Sequence, residues 1–417
     1  MTHLVPVLRP VLGTPFRRGD LYRRAGEVPS FHIAPARTGH ALDLITGTVL
    51  GGGTVNCATP AWEVGPDGIL YQPAANTPVV GYDPVTLRPR GLRAWGAVTN
   101  LIQWSESFNN AIWIKLVGGT GSTPVVTENY AISPAGTMTA SRLVANRGSS
   151  NTTNDQSYIY QNIGGLSSVS HTTTNSVWMR SNTGQSQIVY FRNATGAGGS
   201  LQTVTNQWQR FSVTGTRTGS VSNNIQIGTR GAQGSDQSID ILIYGGQIQL
   251  SDFLGPYVPT TTTAASSTAD VIDITSLPVG INNIRTMYAR VRTAASGNRG
   301  IISLNDNTSS NRLELLSSGT DPKAVAVTSG STVADLDGGT ITANTTFAIA
   351  ARFNGDSYAI SVNGGPAVTD NAGTRAIVDR IFLGRTQAGE YLNDYIEEVA
   401  LWTQGVSDAS LQALSAS

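Results

Sequence analysis

The stretch FAIAARFNGDSYAISVNGG, residues 347–365, decides the fold class of this chain. Large apolar residues mostly alternate with small or polar ones on both sides of Asn354-Gly355, a dipeptide that favours a tight turn between antiparallel strands. A second turn signal, at residues 363–365, ends the second run. Because alternation with a period of two is typical of a strand with one buried face, this stretch predicts a β-hairpin.

The same alternation continues on both sides of this hairpin. Strand-length runs include RTMYARVRT, GIISLND, NRLELLSS, KAVAVTS, DRIFLGR and DYIEEVALW. The chain closes with VSDASLQALSA, where Ser407 or Asp408 can cap a short helix that places Leu411 and Leu414 on one face. These runs predict an antiparallel β-sandwich over residues 285–417.

A second group of strand-length runs lies upstream, within residues 99–262. These runs are VTENYAI, SYIYQNI, TTNSVWMR, SQIVYFR, WQRFSVTG, NNIQIGT and SIDILIYGGQIQL, separated by Gly, Asn and Ser. Their number and spacing are typical of a jelly roll. TTTTAASST, residues 260–268, has no large apolar residue, so residues 263–284 are interpreted as a linker and first strand.

Residues 1–98 differ from the rest of the chain. Proline is dense here, and FRRGDLYRR carries Arg17, Arg18, Arg23 and Arg24. We expect a loop-rich segment with a few strands that becomes ordered by packing on a partner or on the next domain. The four arginines are candidates for contact with an acidic groove of that partner, although a solvated basic loop has the same pattern.

Composition excludes several classes of protein. A chain of 417 residues indicates about three domains. The formal net charge of zero argues against a general nucleic-acid binder. Cys57 is the single cysteine, so no disulfide framework can form within the chain. The N-terminal residues lack the features of a signal peptide, and no apolar run reaches the ~18 residues of a membrane span, so we expect no membrane insertion.

Residues 83–263 resemble a known module. YDPVTLRPRGLRAWGAVTNLIQWSESFNNAIWIK is similar to the start of a module that recurs in structural proteins of tailed phages and prophages, where it precedes a carbohydrate-binding-module-like jelly roll. IYGGQIQLSDFLGPYVPTTTTAA resembles the end of that module, and NQWQRFSVT resembles one of its strands. Several strings in the same order make the likeness specific.

A second resemblance covers residues 285–415. YIEEVALWTQGVSDASLQAL is similar to the end of laminin-G or concanavalin-A-like lectin sandwiches, and ARFNGDSYAISVNGG resembles the adjoining hairpin. Together the two resemblances imply an all-β chain of two tandem sandwiches, a jelly roll and then a laminin-G-like domain. They also imply a fibre or spike of a phage or gene-transfer-agent particle, anchored through residues 1–98.

Sugar binding on a β-sandwich needs aromatic rings that are accessible from solvent. The best candidates are Trp104, Trp113, Tyr158 and Tyr160, and Tyr190 also has the required side chain. Trp178 and Trp208 alternate within strands, so we interpret both as core residues.

Metal binding has weaker support. Oxygen ligands for calcium could come from Asp306 and Asn307 together with Asp394, because sandwiches of the second type often hold that ion. An Asn- and Asp-rich hairpin turn explains the same residues without any ion.

The sequence offers little for catalysis. Asp236 and Asp240 could form the carboxylate pair of a glycosidase, but SDQSIDI is more simply a loop and the start of a strand.

We therefore predict a non-enzymatic virion surface protein, a head spike or fibre or a tail fibre, that binds host surface polysaccharide and is made in the host cytoplasm. A trimer or pentamer is expected. A purely structural decoration or tail protein, and a capsule depolymerase, are the alternatives.

Overall fold

The computed structural model describes residues 24–26, 29–35, 53–56, 61–164, 170–193, 200–217, 223–293 and 297–416. Its strands form antiparallel sheets that pack as two sandwiches, which confirms the predicted all-β fold. The strands of the first hundred residues are short: β1 Phe31–Ile33, β2 Gly53–Asn56, β3 Glu63–Val64, β4 Leu70–Tyr71, β5 Val80–Tyr82, β6 Pro89–Ala94 and β7 Thr99–Asn100.

The jelly roll consists of two five-stranded sheets, with strand orders β15-β12-β17-β10-β9 (sheet I) and β14-β13-β16-β11-β8 (sheet II). Apolar residues that alternate along the strands fill the space between the sheets, as with Ile159, Val177 and Phe191, which are fully buried. The strands are β8 Ile114–Gly118, β9 Ser122–Ala131, β10 Ala140–Asn146, β11 Gln156–Ile163, β12 His171–Ser181, β13 Gln187–Asn193, β14 Ser200–Val204, β15 Gln209–Arg217, β16 Asn223–Arg230 and β17 Ser238–Gln249.

The larger sandwich consists of a seven-stranded sheet, β2-β19-β28-β21-β22-β23-β24, and an eight-stranded sheet, β27-β26-β25-β20-β29-β6-β5, in which β1 also pairs with β29. Its remaining strands follow the jelly roll: β18 Ala265–Ser266, β19 Val271–Ile274, β20 Thr286–Arg292, β21 Asn298–Asn305, β22 Arg312–Ser318, β23 Asp321–Thr328, β24 Ser331–Asp337, β25 Thr346–Asn354, β26 Ser357–Val362, β27 Val368–Asp370, β28 Arg380–Leu383 and β29 Asp394–Trp402. The strands β25 and β26 form the predicted hairpin, with Asn354 opposite Ser357.

The sequence predicts an N-terminal segment that packs on a partner or on the next domain, but two of its described strands pair with β29, near the other end of the chain. The backbone of β1 pairs with β29 through Phe31 opposite Leu401, and β6 pairs with the same strand through Leu92 opposite Ile396. Phe31, Ile33 and Leu92 are buried in the core of the larger sandwich. The described strands β1, β2, β5 and β6 therefore complete that sandwich, and the jelly roll is an insertion within it, between β6 and β19.

A narrow two-stranded neck connects the two sandwiches. The strand β7 pairs with β18, with Thr99 opposite Ser266, so the chain enters and leaves the jelly roll side by side. Beyond that pair, the backbone N–H of Trp104 donates to the carbonyl of Thr261. The range predicted as a linker and first strand, residues 263–284, contains β18 and β19.

The C-terminal helix, Asp408–Ser415, forms as the sequence predicts. The side chain of Ser407 accepts a hydrogen bond from the backbone N–H of Ser410 and caps the first turn. Leu411 and Leu414 are buried against the outer side of the eight-stranded sheet, in a cluster with Trp402. No helix among the described residues has the length and apolar character that crossing a bilayer requires.

Candidate functional site

Two of the four predicted sugar-binding aromatics, Tyr158 and Tyr160, lie together on β11. Because side chains alternate along a strand, both point away from the core into which Ile159 packs. Their ring centroids are 5.9 Å apart. The structure therefore brings these two residues to the outer side of sheet II.

The neighbouring strands continue this arrangement across the sheet. Tyr158 lies opposite Gly228 of β16, which in turn lies opposite Tyr190 of β13. A Cβ on Gly228 would lie 2.3 Å from the carbonyl oxygen of Ser157. Since Gly228 has no side chain, the rings of Tyr158 and Tyr190 approach to 6.2 Å between centroids.

The next row of the sheet supplies polar groups. Tyr160 lies opposite Gln226, and Gln226 lies opposite Arg192. The hydroxyl of Tyr190 donates to Oε1 of Gln226 at 3.2 Å and accepts from Nη1 of Arg230 at 3.3 Å. These contacts fix the amide and the guanidinium beside the rings.

We call this surface the tyrosine face; it comprises Tyr158, Tyr160, Tyr190, Arg192, Gln226 and Arg230. Tyr190 is fully buried by its neighbours and forms the base, while Tyr160 is only partly buried. Burial raises the pKa of Tyr158, so its phenol stays protonated at neutral pH.

Exposed apolar side chains border the tyrosine face. Ile114 lies opposite Tyr160 on one side, and Leu201 lies opposite Tyr190 on the other. Both are among the exposed large hydrophobic residues of the chain. Aromatic rings flanked by amide and guanidinium donors are suited to a sugar, whose C–H faces pack on rings while its hydroxyls form hydrogen bonds.

The other two predicted residues lie elsewhere. Trp113 is 2% exposed and belongs to the jelly-roll core, where it contacts Phe108 at 4.8 Å between centroids. Its Nε1 donates to the carbonyl of Trp104, so it is a structural residue and not a ligand contact. Trp104 is partly buried in a loop with a left-handed backbone, φ 52°, and makes no ring contact with the tyrosine face.

Trp178 is buried as predicted, but outside the space between the two sheets. It packs at the outer side of sheet I, under Val64 and Leu70 of the N-terminal segment, with its ring 5.1 Å from that of Tyr257. Trp208 is partly buried, and its Nε1 donates to the carbonyl of Ile132.

The predicted calcium ligands do not form a shared site. Both carboxylate oxygens of Asp306 accept hydrogen bonds within its own turn, from Thr308 and from Asn311. Asp394 lies in the eight-stranded sheet, not in the seven-stranded sheet that carries the hairpin of Asp306 and Asn307, and it pairs with Arg292 at 2.7 Å. Across the described ranges, no group of three or more His, Cys, Asp or Glu side chains could hold a metal. The turn interpretation explains these residues.

The carboxylates considered for catalysis have structural partners. Asp240 accepts two hydrogen bonds from Arg142, at 2.8 and 2.6 Å. Asp236 accepts one from the backbone N–H of Ile188. Both are therefore engaged in holding the jelly roll together.

The structure describes one of the four proposed anchoring arginines. Arg17, Arg18 and Arg23 lie outside the described residues. Arg24 is described and partly buried, next to Ala25, which packs near the C-terminal helix.

Sequence reasoning missed three polar members of the tyrosine face, Arg192, Gln226 and Arg230. The signal was present in NNIQIGTR, because Ile225 and Ile227 point into the core and so Asn224, Gln226 and Arg230 must point outward. What the sequence could not supply was the pairing of β16 with β11 and β13.

Comparisons with known proteins find only distant structural likenesses. No protein-family model and no curated protein matches it. The solved CBM40 domain of the Ruminococcus gnavus IT-sialidase, bound to α2,6-sialyllactose, aligns with a TM-score of 0.28 and 17% identity, covering 32% of this chain and 82% of that one. Domains LG4-5 of the mouse laminin α1 chain align with a TM-score of 0.26 and 10% identity, covering 64% and 92%.

Proposed function

We propose that this chain is a non-enzymatic glycan-binding protein and that the tyrosine face is its sugar-binding surface. The observation that carries the proposal is the row of Tyr158, Gly228 and Tyr190, with Tyr160 beside it. It sets rings and fixed hydrogen-bond donors next to each other on an outer sheet surface. A sugar ring would pack on Tyr160, and its hydroxyls would meet Gln226 and Arg230.

The charge of the tyrosine face suits a polar ligand. No carboxylate among the described residues forms an ion pair with Arg230, whose Nη1 instead donates to the hydroxyl of Tyr190. A guanidinium held in this way keeps donors for hydroxyl or carboxylate oxygens of a sugar.

We further propose that the chain is displayed on the surface of a phage-like particle, where it attaches the particle to host polysaccharide. The resemblance of residues 83–263 to modules of tailed-phage structural proteins supports this location. Many copies on one particle would raise a weak affinity for a single sugar site by multivalency. The described strands of the N-terminal segment complete the larger sandwich, so contact with other virion proteins would fall to residues outside those strands.

The test uses the full chain multimerised on beads and applied to an array of bacterial surface polysaccharides. Tyr160→Ala should weaken binding about tenfold, equivalent to ~1.4 kcal/mol, because aromatic anchors dominate small interfaces. Tyr130→Ala is the matched control, because Tyr130 is an exposed tyrosine of sheet I with the guanidinium of Arg142 5.1 Å from its ring. Absence of binding to any polysaccharide would favour the structural decoration role.

A further inference from the structure

A cleft of about 500 Å³ lies on the opposite side of the jelly roll from the tyrosine face. One wall is the outer side of sheet I, with Arg210 and Ser212 of β15. The loop of residues 252–257 forms a second wall. Tyr395 of β29, in the larger sandwich, belongs to the third wall. The volume is that of a typical small-ligand site, and such sites favour the junction between two domains.

Arg210 is the unusual group in this cleft. Its guanidinium lies 4.5 Å from the centre of the Trp178 ring and donates to the carbonyl of Gly255 at 2.8 Å and to Oγ of Ser176 at 3.0 Å. Its Nε has no hydrogen-bond partner. Among the described residues, no carboxylate lies within ion-pair distance of it.

The other charged groups of the cleft have partners. Arg292 pairs with Asp394 at 2.7 Å, and Arg90 pairs with Asp83 at 3.2 Å. The carboxylate of Glu63 accepts from the hydroxyl of Tyr395 at 3.0 and 3.1 Å. These pairs leave Arg210 as the cation whose charge the described residues do not compensate directly.

The charge on Arg210 persists at neutral pH. Burial lowers its pKa to about 10, which is still far above neutrality. Glu63 in the same cleft favours the charged form without pairing with Arg210, and an anionic group that a ligand brings to the guanidinium itself would relieve more of the cost of burial. Bidentate binding of a carboxylate is the interaction for which a guanidinium is best shaped.

The remaining lining is suited to a sugar ring. Trp62, Trp95 and Phe253 border the cleft, and the rings of Trp95 and Phe253 stack at 5.6 Å between centroids. On β15, Ser212 and Thr214 are exposed beside Arg210, so hydroxyl groups lie next to the cation. Rings for the C–H faces and hydroxyls for the ring substituents thus surround one positive charge.

We propose that this cleft is a second binding site, specific for a saccharide unit that carries a carboxylate, with Arg210 binding the carboxylate. The site goes beyond the proposed function of the tyrosine face, because it lies on the other sheet and uses other residues. It would give the chain a contact with acidic polysaccharide that does not depend on Tyr160.

The test is a calorimetric titration of the full chain with glucuronate and galacturonate, and with glucose as the neutral counterpart. The acidic sugars should bind saturably and glucose should not. Arg210→Gln should weaken uronate binding about tenfold or more, equivalent to at least ~1.4 kcal/mol, because the charge-assisted hydrogen bonds to the carboxylate are lost. Lys323→Gln is the control and should leave uronate binding unchanged, because Lys323 pairs with Asp335 in the larger sandwich and lines neither the cleft nor the tyrosine face.

A second variant keeps the test decisive if Arg210→Gln lowers the melting temperature. Ser212→Glu changes an exposed strand position and places a carboxylate beside Arg210, so it should abolish uronate binding while the fold is retained. Equal binding of uronate and glucose, no uronate binding at all, or uronate binding that survives both cleft variants would overturn the proposal. Loss of uronate binding in Arg230→Gln alone would show that the acidic ligand binds the tyrosine face and not the cleft.

Discussion

Arg93 and Asp270 form a buried ion pair that joins the chain just before the jelly roll to the chain just after it. Nε and Nη2 of Arg93 each lie 3.0 Å from a carboxylate oxygen of Asp270, and neither side chain is exposed. The same carboxylate accepts from the backbone N–H of Trp95. This bidentate contact thus joins the two chain segments at the base of the inserted jelly roll, next to the pairing of β7 with β18.

Removing one member of this pair should destabilise the protein strongly. Arg93→Met leaves a buried carboxylate without its cation and should cost ~3–5 kcal/mol of unfolding free energy in urea denaturation. Arg90→Met removes a partly exposed pair with Asp83 and should cost no more than ~1 kcal/mol. Asp270→Asn combined with Arg93→Met should be less harmful than the sum of the two changes. Equal losses in Arg93→Met and Arg90→Met would contradict this role.

The two tryptophans of the predicted sugar site should behave differently. Trp113→Ala opens a cavity in the jelly-roll core and should cost ~3–5 kcal/mol of unfolding free energy. Trp104→Ala affects a partly buried loop residue and should cost clearly less. The midpoint of chemical denaturation measures both, and a stable Trp113→Ala protein with impaired glycan binding would restore Trp113 as a ligand residue.

Gly228 should be intolerant of a side chain. A Cβ there would lie 2.3 Å from the carbonyl oxygen of Ser157 and 2.5 Å from Cα of Tyr158, so the backbone must move. Gly228→Ala should cost ~1–3 kcal/mol and weaken glycan binding, because Tyr158 and Tyr190 are forced apart. Gly164→Ala is the control, since a Cβ at that position meets nothing within 4 Å. The prediction fails if both variants match the wild type in melting temperature and affinity.

Asp155 should make stability depend on acid. Hydrogen bonds from Thr152, followed by those from Thr120, lower its pKa from 3.8 to about 2. A carboxyl with a lowered folded-state pKa stabilises the fold above the unfolded-state pKa, and this contribution disappears as the pH falls through about 2. Asp155→Asn should therefore be less stable than wild type at neutral pH, and the difference should shrink between pH 4 and pH 2. A difference that is constant over that range in urea denaturation would contradict the assignment.

Local sequence patterns predict most of the sheet structure. Alternation in residues 347–365 identifies β25 and β26, and the capping Ser407 identifies the C-terminal helix, because both signals depend on neighbouring residues alone. Local patterns do not predict the strands β1 and β6. They are short, and their burial depends on β29, roughly three hundred or more residues further along the chain.

The candidate site was predicted in part for the same reason. Tyr158 and Tyr160 share a face by alternation within one strand, which the sequence displays. Arg230 joins them only through the register of β16 against β11, which one sequence does not display. Trp113 looked accessible because it follows a loop-like stretch, yet its ring packs on Phe108 inside the core.

The central claim is that the tyrosine face binds glycan. Its most direct test is the dissociation constant of the strongest polysaccharide ligand from the array, measured calorimetrically for wild type, Tyr160→Ala and Tyr130→Ala. The account predicts a loss of about tenfold for Tyr160→Ala and wild-type affinity for Tyr130→Ala, with unchanged melting temperatures for both. Wild-type affinity in Tyr160→Ala, or an equal loss in Tyr130→Ala, would contradict it.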